Sequence, residues 1–119
     1  MTITIAIAGK GGTGKTTFTA LLIKYIRTNN LGYILAIDGD PSSNLNLVLG
    51  MDLYDTVGRI REDARAQVDS GRYDISIPKS DFFEYRINES LVEGDRIDLI
   101  AMGRPEGPGC YCAANNILR

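Results

Sequence analysis

Apolar positions along the chain change spacing several times, and each change marks the boundary of an element. Residues 2–8 are β-branched, short and weakly alternating, and they run straight into Gly9, Gly11, Gly12 and Gly14, which predicts a buried strand ending in a tight loop. Residues 16–29 place Phe18, Leu21, Leu22, Tyr25 and Ile26 at spacings of three and four, a helix stopped by Asn29, Asn30 and Gly32. Residues 33–37 form a second apolar run, separated from the first by a helix of the length that a right-handed parallel crossover needs.

Beyond this βαβ unit the stretch 38–46 is polar and rich in turn residues. Helix formers fill 55–70 up to Gly71, and 80–93 carries a second helical pattern through Phe83, Ile87 and Leu91. Both are expected on the faces of the sheet. Residues 97–102 again read as a strand, 103–109 hold three glycines and two prolines, and 113–119 look like the opening turns of another helix. Strands alternating with helices predict a doubly wound, mostly parallel α/β sheet.

Composition narrows the function classes. The chain has 119 residues, 44% hydrophobic and 24% charged, enough for one modest core. Its 13 basic and 15 acidic residues give a net charge of −2 with no basic cluster, which argues against nucleic acid as a partner. No run approaches the roughly 18 apolar residues of a membrane span, and residues 1–8 lack the basic flank and length of a secretory signal. The expectation is a cytoplasmic protein without a membrane partner. Histidine is absent, so proton transfer and metal coordination must rest on Asp, Glu, Lys and Cys.

Gly9-Lys10-Gly11-Gly12-Thr13-Gly14-Lys15-Thr16 satisfies G-x-x-x-x-G-K-[ST] and lies between an expected strand and an expected helix. Glycines leave room for backbone N–H groups to wrap phosphates, and the helix N-terminus adds its positive end. Lys15 neutralises the outer phosphates and the Thr16 hydroxyl can ligate Mg²⁺. The expected nucleotide-binding set is Gly9, Lys10, Gly11, Gly12, Thr13, Gly14, Lys15, Thr16 and Thr17. Asp38 and Asp40 follow the second strand, where an α/β sheet presents carboxylates toward the phosphates, although Asp residues also cap turns.

The second lysine, Lys10, makes this loop resemble the deviant Walker A class of P-loop NTPases, which includes the MinD/ParA ATPases, the nitrogenase iron protein and the arsenical-pump ATPases. That resemblance implies that Lys10 reaches across a dimer to the partner subunit's nucleotide and counts, with Lys15 and Asp40, among the catalytic residues. It also implies that Asp40 orients or deprotonates the attacking water and that Asp38 supports the Mg²⁺ shell with Thr16.

Cys110 and Cys112 flank Tyr111, so in extended backbone both thiols project to one side. Soft thiolates favour Zn²⁺, Ni²⁺, Cu⁺ or an Fe–S centre, and a twofold axis could complete a four-sulfur site; the spacing alone equally suits buried, inert cysteines. The whole run from Met102 to Asn116 is similar to the cysteine segment of the CooC-type ATPases, nickel-insertion accessory proteins of carbon monoxide dehydrogenase. The resemblance implies an ATP-hydrolysing homodimer that takes ATP/ADP and Mg²⁺, holds Ni²⁺ or Zn²⁺ at its interface through Cys110 and Cys112, and delivers nickel to carbon monoxide dehydrogenase. A spatial regulator of the MinD/ParA type and an Fe–S reductase like the nitrogenase iron protein are the alternatives. Members of the CooC-type family are longer, so residues 1–119 are expected to form the N-terminal part of a single P-loop ATPase domain, with the C-terminal half absent from this chain.

Overall fold

The computed structural model of the protein describes residues 1–104. Its elements are α1 (Lys15–Thr28), β1 (Ile34–Asp38), α2 (Leu45–Leu49), α3 (Val57–Asp69), α4 (Lys79–Ser90), β2 (Val92–Gly94) and β3 (Ile97–Ala101). The helices expected at 16–29, 55–70 and 80–93 and the strands expected at 33–37 and 97–102 all form, with boundaries shifted by up to three residues. The short α2 falls at the end of the polar stretch 38–46. The helix expected at 113–119 lies outside the described residues.

The sheet has the order β1-β3-β2. β1 and β3 pair in parallel with Ala36 opposite Leu99, whereas β2 pairs antiparallel to β3 with Val92 opposite Leu99. The described sheet is therefore mixed rather than mostly parallel. The cause is local: the apolar spacing through Leu91 runs on as if helical, but Val92 is β-branched and Asp95-Arg96 form a tight turn with Arg96 at φ +61°. Such a turn returns the chain beside itself, which a parallel crossover cannot do.

Strand alternation splits β3 between two cores. Ile97 and Leu99 cluster with Ile23 of α1, Leu45 of α2, Ala36 and Val92, while Ile100 and Met102 cluster with Val57 of α3 and Ile87 of α4. Helices thus cover both faces of β3, as a doubly wound fold requires. Leu99 is fully buried where both neighbouring strands meet it. A Leu-to-Ala change there costs about 2–5 kcal/mol on the scale of buried leucines.

The strand expected at residues 2–8 does not form: these residues carry no strand pairing and are largely exposed, Ile3 at 72% and Ile5 at 58%. β propensity alone does not hold a strand; a ladder partner must satisfy its N–H and C=O groups. β3 already has both edges taken by β1 and β2, and residues 2–8 pair with neither edge of the sheet. The outward face of β1 is open in the same way, with Leu35 and Ile37 exposed. No helix among the described residues is long and apolar enough to cross a membrane.

Candidate functional site

The glycine loop leads directly into α1. Gly12 and Gly14 sit at φ +78° and +88°, in the left-handed region where a Cβ costs about 1–2 kcal/mol. At Gly9 an added Cβ would fall 2.9 Å from Thr13 Oγ1, so glycine is also needed for the loop to close. Gly14 caps α1 without any side-chain acceptor, which leaves the first N–H groups of the helix and the positive end of its dipole facing the loop.

One carbonyl organises the loop. Lys10 O accepts from Thr13 N at 3.3 Å, from Thr13 Oγ1 at 2.7 Å and from Lys15 Nζ at 2.9 Å. Lys15 is thereby folded back over the loop, while the Lys10 side chain makes no hydrogen bond or ion pair among the described residues and is exposed. The loop-held ammonium, the uncapped helix N–H groups and the glycines without Cβ form a donor set suited to an oxygen-rich anion such as a polyphosphate. Thr16 is half-buried in the first turn of α1, one position after Lys15, and Thr17 beside it is exposed.

Asp38 ends β1 and is half-buried. Its Oδ1 accepts from Asp40 N at 3.0 Å and its Oδ2 from Leu45 N at 3.1 Å, so the carboxylate shapes the turn that follows the strand. Asp40 is exposed, and its Oδ1 accepts from Ser42 N at 2.8 Å in an Asx turn. Asp38 therefore commits both carboxylate oxygens to local backbone N–H groups and Asp40 commits one, Oδ1, although each bonded oxygen retains a second lone pair. Among the described residues no hydrogen bond or ion pair joins Lys10 or Lys15 to Asp38 or Asp40. Topology relates the two segments instead: α1 returns the chain to β1, with Ile23 and Ala36 in one hydrophobic cluster, so the start of α1 and the end of β1 lie toward one edge of the sheet.

Cys110 and Cys112 lie outside the described residues. Among the described residues no group of three or more His, Cys, Asp or Glu converges as a metal site. Two open concavities of about 530 and 520 Å³ gather around Arg27 and Asp95, away from the glycine loop. A loop that binds through exposed backbone N–H groups needs no deep cavity, so the loop remains the better candidate.

The sequence reading missed Ser43 and its partner Gly103. Ser43 has φ +46°, and its Oγ donates to Asp40 O at 3.2 Å and accepts from Gly103 N at 3.1 Å. Gly103 itself sits at φ +65°, where an added Cβ would lie 2.6 Å from Thr56 Cβ. The glycine was visible as a strand-end signal; a contact sixty residues away in the chain was not.

The CobQ/CobB/MinD/ParA nucleotide binding domain matches residues 4–104. An uncharacterized ATP-binding protein of Methanocaldococcus jannaschii is 49% identical over 117 residues, which is 97% of this chain and 45% of that protein. A second ATP-binding protein of the same organism is 35% identical over 124 residues, 97% of this chain and 49% of its own length. The carbon monoxide dehydrogenase accessory protein CooC of Rhodospirillum rubrum is 29% identical over 126 residues, 97% of this chain and 46% of that protein. The chain thus spans about half the length of the curated relatives it matches. No solved structure matches it. With the family's match covering the glycine loop, both acids and all seven described elements, the chain belongs to the CobQ/CobB/MinD/ParA nucleotide-binding domain family.

Proposed function

We propose that this chain is the nucleotide-binding part of an ATP-hydrolysing homodimer that inserts nickel into carbon monoxide dehydrogenase. One combination carries the reading: a loop with both Lys10 and Lys15 stands in the same chain as the Cys110-Tyr111-Cys112 segment, and 97% of that chain aligns with CooC. The family by itself supports ATP binding; the cysteines and the likeness to CooC support the metal cargo.

The residues divide the work as follows. Gly9, Gly11, Gly12 and Gly14 let the backbone N–H groups of the loop surround the phosphates, with Thr13 and Thr17 at its rim. Lys15 leaves Lys10 O and pairs with the outer phosphate oxygens, gaining charge-assisted bonds in place of a neutral one. Lys10, whose side chain is exposed, reaches the nucleotide of a second copy. Thr16 Oγ1, with Asp38 beside the turn, would hold Mg²⁺, which would supply positive charge at the phosphates. Asp40 orients the attacking water or takes its proton through the carboxylate oxygen that does not hold Ser42 N. Cys110 and Cys112 of the two copies together offer four thiolates to one Ni²⁺ or Zn²⁺, which is cargo rather than resident cofactor.

Anaerobic metal analysis of the full-length protein without nucleotide, with ADP and with ATP tests this. The reading expects one ion per two chains and an occupancy that changes with nucleotide. One ion per single chain, or no Ni²⁺ or Zn²⁺ under any nucleotide condition, would remove the metal-delivery role and leave an ATPase of another purpose.

A further inference from the structure

Away from the glycine loop, α1, α2 and the turn between β2 and β3 border a groove. The bridge from Arg27 of α1 to Asp95 of the turn, at 3.4 Å, lies between its two lobes of about 520 and 530 Å³. Ile34 N donates to Arg96 O at 3.1 Å, which ties the turn to the start of β1.

The lobes differ in charge. The first is lined by Lys24, Arg27 and Arg96 against the carboxylate of Asp95, the second by Asp52, Glu93 and Asp95 against Arg27. In a chain of net charge −2 the first lobe is a local reversal of sign. Two of its cations are held at the rim: Arg27 by Asp95, and Arg96 by Asn30 Oδ1 and, at 5.4 Å, by the face of the Tyr33 ring. Lys24 is exposed and makes no hydrogen bond or ion pair among the described residues. An exposed pair such as Arg27–Asp95 contributes little by itself, so an incoming carboxylate can share its cation at small cost.

The wall of the same lobe is aliphatic. Leu21 and Val48 line it at 61% and 56% exposure, beside Ile23 and Leu49 of the core. Leu21, Lys24 and Arg27 recur every three residues along α1 and form a ridge of the kind onto which a second helix packs. Apolar and cationic positions follow one another along that ridge. A second copy would match the charges of the two lobes only by setting one concavity against the other, which leaves voids where an interface packs closely. The free edge of β1 lies on the far side of β3 from β2, so strands added there extend the sheet away from the turn that borders the groove.

We propose that the basic lobe docks an acidic amphipathic helix of a partner protein, with that helix's aliphatic side chains on Leu21 and Val48 and its carboxylates on Lys24, Arg27 and Arg96. No residue of the glycine loop or of the acid pair takes part.

The test uses the full-length protein and two fluorescein-labelled helical peptides that share their leucines and carry either Glu or Lys at the flanking positions. Fluorescence anisotropy should show saturable binding of the Leu/Glu peptide and far weaker binding of the Leu/Lys peptide. The preference should vanish at roughly 1 M salt, where the screening length is about 3 Å. Lys24→Glu should weaken the Leu/Glu peptide by about 2- to 30-fold, the loss of one exposed ion pair plus an equal repulsion, and strengthen the Leu/Lys peptide. Leu21→Ser should weaken the Leu/Glu peptide too. Both side chains are exposed, so ADP affinity and the thermal midpoint should stay unchanged in either variant. Equal binding of the two peptides, no saturable binding of the Leu/Glu peptide, or full affinity in both variants would overturn the docking site. Self-association in sedimentation that Lys24→Glu abolishes would overturn it in favour of a second copy.

Discussion

Lys15 Nζ donates to the backbone carbonyl oxygen of Lys10 at 2.9 Å, so the two loop lysines are joined through main chain rather than set side by side as repelling cations. The bond orients the Lys15 side chain over the loop before any phosphate arrives and leaves the Lys10 side chain pointing away to solvent. On the proposed reading, Lys15 acts within its own subunit and Lys10 toward a second copy.

Lys15→Ala should therefore weaken ATP and ADP binding by at least about 10- to 100-fold, since the substitution removes charge-assisted bonds of about 1.5–3 kcal/mol. Isothermal titration calorimetry measures this directly, and unchanged affinity would exclude the glycine loop as the phosphate site. Lys10→Ala should keep ADP affinity within a few-fold while losing ATP-driven dimer closure and turnover. Sedimentation with ATP separates the two roles.

Asp40→Asn is the informative change at the second acid, because an amide Oδ1 still accepts from Ser42 N and so preserves the turn. It should bind ATP normally and hydrolyse it about 10²- to 10⁴-fold more slowly, the usual contribution of a positioned general base. Asp40→Ala loses the turn as well, and should show lower thermal stability than Asp40→Asn. A near-normal kcat in the Asn variant would transfer the role to another group.

Gly103→Ala tests how closely the chain after β3 packs on Thr56. An alanine there meets left-handed strain of about 1–2 kcal/mol in addition to its overlap with Thr56, so a loss of about 2–4 kcal/mol in denaturant unfolding is expected. Thr56→Ala removes the cap of α3 at a cost of about 1 kcal/mol. The double variant should recover only part of the sum, because Thr56 Cβ remains in place.

If metal is held by four thiolates shared across a dimer, metal binding and dimerisation must strengthen each other by the same factor. Affinity should fall as pH drops, because protons compete for sulfur. Cys110→Ser or Cys112→Ser should abolish tight Ni²⁺ or Zn²⁺ binding and the metal-linked dimer, while the monomer's nucleotide affinity stays nearly intact. Equilibrium dialysis with sedimentation decides, and full metal affinity in the Cys112→Ser variant would remove the shared site.

What the sequence determined by itself was local. The glycine loop, its two lysines, the helix that follows and the paired acids after the next strand are encoded within a few tens of residues, where backbone conformation and hydrophobic period act directly. The helix containing Ile60 and the one containing Ile87 were legible for the same reason. Tertiary structure decided what depends on residues far apart in the chain. Residues 2–8 have the composition of a strand but no ladder partner, and hydrogen bonding, not propensity, makes a strand. Val92 joined a hairpin because a turn at Asp95-Arg96 outweighed a helical spacing that extended only one residue short of it. Asp38 spends both carboxylate oxygens on the turn, and Ser43 meets Gly103 only because β1 and β3 pair in parallel and release their loops at the same edge.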